Sequence, residues 1–127
     1  MVDRPQIEQR SAAFATAVFK SCGSIRNLAG GSDPAGQLQT AASSAAANYR
    51  AAARGRSHAE FTSKLGISNE EIDESVYWLE YVATTGLAAG PEVQRLTAEA
   101  KELRAIFAAS YATARKNRDG KKTGRKK

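Results

Sequence analysis

Residues 48–65 read NYRAAARGRSHAEFTSKL, and they contain the clearest structural signal in the chain. The alanine-rich first half of this stretch favours a helix, because alanine has the highest helix propensity. Gly55 can adopt the left-handed conformation that ends a helix. Ser57 and Glu60 then form an S-x-x-E capping box, which begins another helix. An interval this short folds the second helix back antiparallel to the first, so the stretch predicts a helical hairpin.

Apolar residues recur every three or four positions on both sides of this hairpin, as they do along one face of a helix. The pattern predicts helices at about residues 5–28, 34–54, 58–85 and 91–117, with Asp33 as the cap of the second. Four amphipathic helices joined by short turns predict an all-α fold, an up-down-up-down antiparallel four-helix bundle. The predicted core positions are Ile7, Phe14, Val18, Cys22, Ile25, Leu28, Leu38, Ala42, Ala45, Tyr49, Ala52, Phe61, Leu65, Ile72, Val76, Leu79, Ala83, Val93, Leu96, Ala100, Leu103, Phe107, Tyr111 and Ala114.

One domain accounts for nearly the whole chain of 127 residues. Residues 1–118 are predicted to form the bundle. Residues 119–127 are polar, basic and glycine-rich, so they are predicted to be a disordered tail. Gly66 and the following Ser68-Asn69-Glu70-Glu71 weaken the middle of the third helix, where a break near residue 67 is the alternative to one continuous helix.

Several classes of protein are excluded by composition. No apolar run approaches the roughly 20 residues that cross a bilayer, and the N-terminus lacks the apolar core of a signal peptide. A cytoplasmic protein without a membrane association is therefore expected. Cys22 and His58 are the only residues of their kinds, which argues against a zinc site and against a cysteine nucleophile with its base.

The carboxylates Glu70, Glu71, Asp73 and Glu74 resemble a metal-binding cluster in sequence. Di-iron bundles, however, need Glu-x-x-His motifs on two helices, and one histidine cannot supply them. A solvated acidic face, or a docking face for a basic partner, is the expected alternative. Since there is also no glycine-rich phosphate loop or catalytic triad, no enzyme, metal or cofactor is expected.

The net charge of +6 is unevenly distributed along the chain. Residues 57–86 carry −5, whereas residues 34–56 carry +3, residues 87–118 carry +3 and the last nine residues carry +4. This distribution predicts one acidic helix among basic ones. A basic balance raises the odds of a nucleic-acid partner.

Three arginines lie at or just beyond the C-terminal end of the predicted second helix. Arg50 and Arg54 are four residues apart and share a helix face, and Arg56 follows in the turn. Positive charge is favoured at a helix C-terminus, so these side chains either cap the helix and pair with acids of the third helix, or form a phosphate-binding patch. The guanidinium fork suits phosphate geometry, and Lys64 would extend such a patch.

The C-terminal basic residues are a second candidate for nucleic-acid binding. They act either as a solvated tail or as a flexible electrostatic arm, which binds without sequence preference and with a steep salt dependence. The residues concerned are Arg115, Lys116, Arg118, Lys121, Lys122, Arg125, Lys126 and Lys127.

Tyr77, Trp78 and Tyr81 lie partly off the core stripe of the third helix. They either close one end of the bundle or lie at a subunit contact, since exposed aromatic patches mark interfaces. The second interpretation makes these three residues interface candidates.

The middle of the chain resembles a bacterial four-helix-bundle family, the ribosomal-RNA intervening-sequence proteins, over about residues 14–117. The resemblance depends on three motifs: N-Y-R at 48–50, R-S-x-A-E-F at 56–61 and Y-W-L-E at 77–80. It implies a bundle that assembles into a homopentameric ring. One branch of the family is the accessory protein of diversity-generating retroelements, a basic pentamer that binds a reverse transcriptase and nucleic acid. The chain departs from the family pattern at Ala45-Ala46 and at Ser68-Asn69.

Two functions follow as expectations. The first is a homo-oligomer that binds RNA or DNA backbone through the arginines of the second helix and the basic C-terminus. The alternative is a scaffold that recruits a partner protein such as a reverse transcriptase, with no nucleic-acid role of its own.

Overall fold

The structure, a computed structural model, describes the backbone of residues 3–125 and the side chains of residues 3–117. Four helices follow one another: α1 Arg4–Arg26, α2 Ser32–Ala53, α3 His58–Thr84 and α4 Pro91–Arg125. Among the described residues, α1 and α3 each pack along α2 and α4, whereas the backbones of the diagonal pairs do not come close to each other. The helices therefore occupy the corners of a square, and the short connections make neighbours antiparallel. The all-α four-helix bundle is confirmed, and its assembly into a homopentameric ring stays a prediction.

The core forms where the helical periodicity predicts it. Of the predicted core positions, Leu28 and Ala83 are exposed, and Phe61 and Tyr111 are half-buried; the remainder are buried. The prediction that Leu28 is a core residue is wrong. α1 ends at Arg26, so Leu28 lies in the turn that follows the helix. None of the described helices has an apolar stretch long enough to span a lipid bilayer.

The start of α2 differs from the prediction. α2 begins at Ser32, and the capping position belongs to Gly31, which offers no side chain, so Asp33 is a first-turn residue rather than the cap. The turn is tight because the Gly31 amide donates to the carbonyl of Leu28 at 2.9 Å. A Cβ added at Gly31 would overlap the carbonyl of Ile25. The close approach of α2 to the end of α1 therefore requires glycine.

The α2–α3 turn has the predicted cap but not the predicted glycine conformation. The Ser57 hydroxyl accepts a hydrogen bond from the Glu60 amide at 3.0 Å, as a capping box requires. The positive-φ glycines are Gly30, Gly86 and Gly90, and Gly55 is not among them. Glycine is favoured at 55 by space, because a Cβ there would lie 3.2 Å from the Phe61 nitrogen.

α3 is one continuous helix, so the alternative of a break near residue 67 is wrong. Ser68 does not cap a second segment. Its hydroxyl is buried and donates to the carbonyl of Ala45 on α2 at 2.6 Å. The two places where the chain departs from the family pattern therefore meet, and the small Ala45 leaves room for the hydroxyl. This hydrogen bond satisfies the one polar group that the serine brings into the core.

α4 continues well beyond its predicted end. The helix was predicted to stop near residue 117, whereas the structure has helical backbone to Arg125. Lysine and arginine are favourable at a helix C-terminus, where they interact with the macrodipole. Lys126 and Lys127 lie outside the described residues, and a disordered tail at 119–127, distinct from a bundle of residues 1–118, stays a prediction.

Candidate nucleic-acid interface

The antiparallel arrangement gathers basic side chains at one end of the bundle. The start of α1, the α2–α3 turn and the C-terminal part of α4 meet there, since the His58 Nε2 lies 2.8 Å from the carbonyl of Ala114. We call residues 3–8, 50–64 and 110–117 the basic end. It contains three acidic residues against seven basic ones: Arg4, Arg50, Arg54, Arg56, Lys64, Arg115 and Lys116.

The three arginines around the end of α2 have different surroundings. Arg54 Nη1 lies 2.9 Å from Glu8 Oε1 on α1, so the predicted pairing with acids of the third helix is wrong. Arg50 and Arg56 are exposed and make no ion pair with any side chain between residues 3 and 117. Arg50 lines a shallow groove against Gln9 of α1. Two guanidinium groups are thus available to an external anion.

Lys64 does not extend the surface of Arg50. It lies four residues before Ser68, and Ser68 contacts α2. Residues four apart on a helix share a face, so Lys64 lies on the side of α3 that faces α2. Arg50 lies on the side of α2 that faces α1. The two side chains belong to the same end of the bundle and to opposite flanks of α2.

Up to residue 117, where the described side chains end, the basic residues of α4 lie on a helix and not on a flexible arm. Arg115 and Lys116 are exposed, and the Arg115 guanidinium is 5.7 Å from the centre of the Tyr111 ring. The side chains of Arg118, Lys121 and Lys122 lie outside the described ones. Their backbone continues α4.

Cations elsewhere in the bundle are mostly paired within the chain. Arg10 binds Glu99 at 2.6 Å and Glu102 at 3.0 Å, and its hydrogen bond to Glu99 raises the pKa of the guanidinium. Three further pairs involve α4: Arg104 with Asp73, Lys101 with Glu80, and Arg95 with Glu92. The contrast makes the basic end the surface where positive charge is least compensated.

The carboxylates of α3 point to different neighbours. Asp73 pairs with Arg104, whereas Glu71 lies close to Glu74 on its own helix and to Ser44 of α2. Within the described part of the chain, no three metal-ligating side chains come together. Burial, and then the proximity of Glu74, raise the pKa of the Glu71 carboxyl, while the nearby Ser44 hydroxyl acts in the opposite direction.

Glu71→Gln is expected to stabilise the protein at pH 7 by roughly 0.5 kcal/mol, because it removes like-charge repulsion along a helix. A carboxyl whose pKa is raised by folding opposes folding when it is ionised. The gain should therefore shrink as the pH falls through that pKa, and disappear below the ordinary pKa of about 4.3. Urea unfolding at pH 7 and pH 3.5 measures it. Glu80→Gln is the control, since it loses a contact with Lys101 and should not stabilise. An equal gain at both pH values would contradict the prediction.

The three predicted interface residues form one aromatic cluster on α3. Tyr77 and Trp78 have ring centres 4.9 Å apart, and Tyr81 lies 5.3 Å from Trp78. Trp78 is half-buried against the core, while Tyr77 is 56% exposed and Tyr81 is 38% exposed. A large part of each tyrosine therefore remains on the surface of the single chain. Their role in a subunit contact stays a prediction.

A cavity at the basic end was not predicted from the sequence. Its volume is about 460 Å³, and it lies between the start of α1, the ends of α2 and α3 that meet in the turn, and the C-terminal part of α4. No motif signals it, because its residues come from four helices and from positions 4 to 117. The lining residues are Arg4, Tyr49, His58, Phe61, Ala109, Ser110, Thr113, Ala114 and Asn117.

Comparisons with known proteins bear on the fold and the family. A family model described as 23S rRNA-intervening sequence protein matches residues 4–109. The crystal structure of a protein of unknown function from the S23 ribosomal protein family of Bacteroides thetaiotaomicron is similar, with a TM-score of 0.78 and 22% sequence identity. The match covers 86% of this chain and 97% of that one. No curated protein matches the chain in sequence.

Proposed function

The chain belongs to the 23S rRNA-intervening sequence protein family, and from this premise we propose that it is a non-enzymatic, oligomeric four-helix bundle that binds nucleic-acid backbone through its basic end. The observation that supports this most is the placement of Arg50 and Arg56. Both are exposed, at the end where seven basic side chains gather. The family description names an RNA element, which favours RNA over DNA. The protein is expected to act in the cytoplasm.

The physical basis of the proposed binding is electrostatic. Each phosphate that a guanidinium or ammonium group neutralises releases condensed counterions, so affinity falls steeply as salt rises. Assembly into a ring would bring several copies of the basic end together and multiply the number of phosphate contacts. Such a surface recognises backbone charge and does not select a sequence.

The test is fluorescence anisotropy with a labelled RNA and a labelled duplex DNA over a salt series. Neutralising Arg50, Arg54 and Arg56 together with glutamine is expected to weaken binding at least tenfold. It should reduce the salt slope by about 1.4 to 1.8, since each phosphate contact contributes roughly 0.7–0.9 and only Arg50 and Arg56 have no carboxylate partner among the described side chains. Submicromolar binding by the unmodified protein near physiological salt would support the proposal.

A matched control neutralises three cations outside the basic end, Arg95, Lys101 and Arg104. Each of them has a carboxylate partner in the chain, so their loss should leave the salt slope nearly unchanged. Binding seen only at low salt, or an equal loss in both triple variants, would mean that the net charge acts without a defined site. The proposal would then be wrong.

The aromatic cluster of Tyr77, Trp78 and Tyr81 supports the alternative function, a scaffold that recruits a partner protein such as a reverse transcriptase. Exposed aromatic side chains are typical of the centre of protein interfaces. The two functions differ in their dependence on salt. They also differ in the effect of removing residues 119–127, which should weaken only the binding of nucleic acid.

Trp78→Ala is expected to lower the assembly state of the protein, because it removes the ring against which both tyrosines pack. Light scattering coupled to size exclusion measures the mass in solution. Leu28→Ala is the control, since Leu28 is also an exposed hydrophobic residue but lies in the α1–α2 turn and does not belong to the cluster. An unchanged oligomer mass in the Trp78 variant would exclude this cluster from the subunit contact.

A further inference from the structure

We propose that the cavity at the basic end binds one unstacked nucleobase, supplied by single-stranded RNA or by a free nucleotide. This inference rests on the proposed function, and it adds a mode of recognition that backbone charge alone does not provide. The cavity of about 460 Å³ lies within the range of roughly 300–1,000 Å³ that is typical of small-ligand sites, and its lining combines aromatic surface with hydrogen-bonding groups.

Tyr49 supplies a fixed polar group to the cavity. The residue is 3% exposed and lines the cavity. Its ring stacks on Phe107 with centres 5.0 Å apart, which holds the side chain in place. None of the described residues forms a hydrogen bond with its hydroxyl, and no fully buried polar side-chain atom among them lacks a partner, so the hydroxyl is open to solvent on the cavity side. The polar edge of a base would replace that solvent with both a donor and an acceptor.

The Tyr49 hydroxyl is in the protonation state that this role requires. Burial raises the pKa of the phenol. The positive charge of Arg4 lowers this pKa by a smaller amount, and the negative charge of Glu8 raises it further. The group therefore stays neutral at physiological pH, where a phenol donates one hydrogen bond and accepts others.

Arg4 and Phe61 form the surface on which a base would stack. The Arg4 guanidinium carbon lies 4.3 Å from the centre of the Phe61 ring, and both residues line the cavity. Unpaired bases in RNA complexes stack on aromatic rings and on guanidinium planes. A duplex offers neither an unstacked base nor an accessible base edge at this depth, so the cavity selects single strands.

The remaining lining groups suit a base that carries a phosphate. Ser110, Thr113 and Asn117 offer hydroxyl and amide groups to base edges, and the described lining contains no carboxylate. Of the nearby acids, Glu8 is paired with Arg54, and Asp3 caps α1 by accepting a hydrogen bond from the Gln6 amide. Arg56 in the adjoining turn and Arg115 on α4 are exposed at the same end, where they can reach the phosphates on either side of the bound base.

Two substitutions test the cavity in the full-length protein. Ala109→Leu adds bulk at an exposed position on its rim, and Ala112→Leu makes the same change on the same helix at a position that does not line it. Tyr49→Phe removes only the hydroxyl. Circular dichroism confirms that each variant folds.

The measurement is anisotropy with a labelled ten-nucleotide single-stranded RNA and with an RNA duplex of the same length, at one salt concentration. Ala109→Leu is expected to weaken single-strand binding about tenfold, the usual effect of losing one stacked base. Tyr49→Phe is expected to weaken it about fivefold, the effect of one hydrogen bond. Duplex binding should change by less than about twofold in both variants, and Ala112→Leu should match the unmodified protein.

The outcomes separate this inference from the proposed function. If the protein binds neither RNA near physiological salt, the proposed function fails. If it binds both RNAs but neither cavity variant weakens single-strand binding, only the cavity inference is overturned. Adenosine monophosphate titrated into ¹⁵N-labelled protein then identifies the source of the base: shifts confined to cavity amides support a free nucleotide, and their absence, beside a single-strand effect, supports a base held within a strand.

Discussion

Gly31→Ala is expected to destabilise the protein by about 3 kcal/mol, at the upper end of the usual cost of overpacking. The φ of Gly31 is −91°, which alanine adopts without strain, so the cost comes from lack of space. The added Cβ would overlap the carbonyl of Ile25, a backbone atom that cannot move aside as a flexible side chain can. Relief requires α1 and α2 to separate, and the α1–α2 seam of the core to open with them. Urea unfolding followed by circular dichroism measures the loss.

Two neighbouring glycines provide matched controls for Gly31→Ala. Gly36 lies inside α2 with open space around its Cβ position. Alanine there should therefore be neutral, or stabilising by up to about 1 kcal/mol. Gly30 also has open space, but its φ is +77°, so alanine there should cost roughly 1 kcal/mol from backbone strain alone. Similar effects of Gly31→Ala and Gly36→Ala on stability would contradict the close approach of α1 and α2 at Gly31.

Phe107→Ala is expected to destabilise the protein by about 4 kcal/mol, within the range of buried phenylalanine truncations. Phe107 is fully buried on α4, and its ring stacks on Tyr49 of α2 at 5.0 Å. The two residues lie on helices at diagonal corners of the square, so this stack is a contact across the centre of the bundle. Alanine would leave a cavity on the central axis of the bundle. The four helices cannot move inward to fill it without losing their other contacts.

Phe19→Ala is the control for Phe107→Ala, since it is the same substitution at a position that is 61% exposed. Its effect on unfolding should stay within about 0.5 kcal/mol, as for most surface substitutions. Both variants are measured by urea unfolding at the same protein concentration. A loss at Phe19 as large as that at Phe107 would contradict the arrangement of α1, whose core stripe runs through Phe14 and Val18.

The fold was largely predictable from the chain because each of its determinants is local. The helical periodicity put Ile72, Val76 and Leu79 on one face, and all three are buried. Ser57 caps α3 as its sequence pattern predicts. Errors occurred where a neighbouring helix decides the outcome. Gly31 occupies the capping position of α2, in a space that the carbonyl of Ile25 closes to any side chain, and no property of residues 29–33 alone indicates that contact.

The candidate site was predictable only in part. Arg50, Arg54 and Arg56 stood out by spacing, but spacing could not tell that Arg54 has a partner on α1 while the other two are unpaired among the described side chains. The cavity had no signal at all in the sequence. From the sequence, Tyr49 is predicted to be an ordinary core residue. One face of its ring does pack in the core, on Phe107, but the residue also lines the cavity.

The four helices, the stripe that each buries and their antiparallel order follow from the amino-acid sequence, since helical periodicity, caps and short turns act over a few residues. Which charges remain free and where a cavity forms depend on the packing of the helices against one another. Both depend on the side chains that distant segments place side by side. Arg4, Arg56 and Lys116 are far apart in the chain. They lie at the same end of the bundle because, in an antiparallel arrangement, each helix ends where the helix before it began.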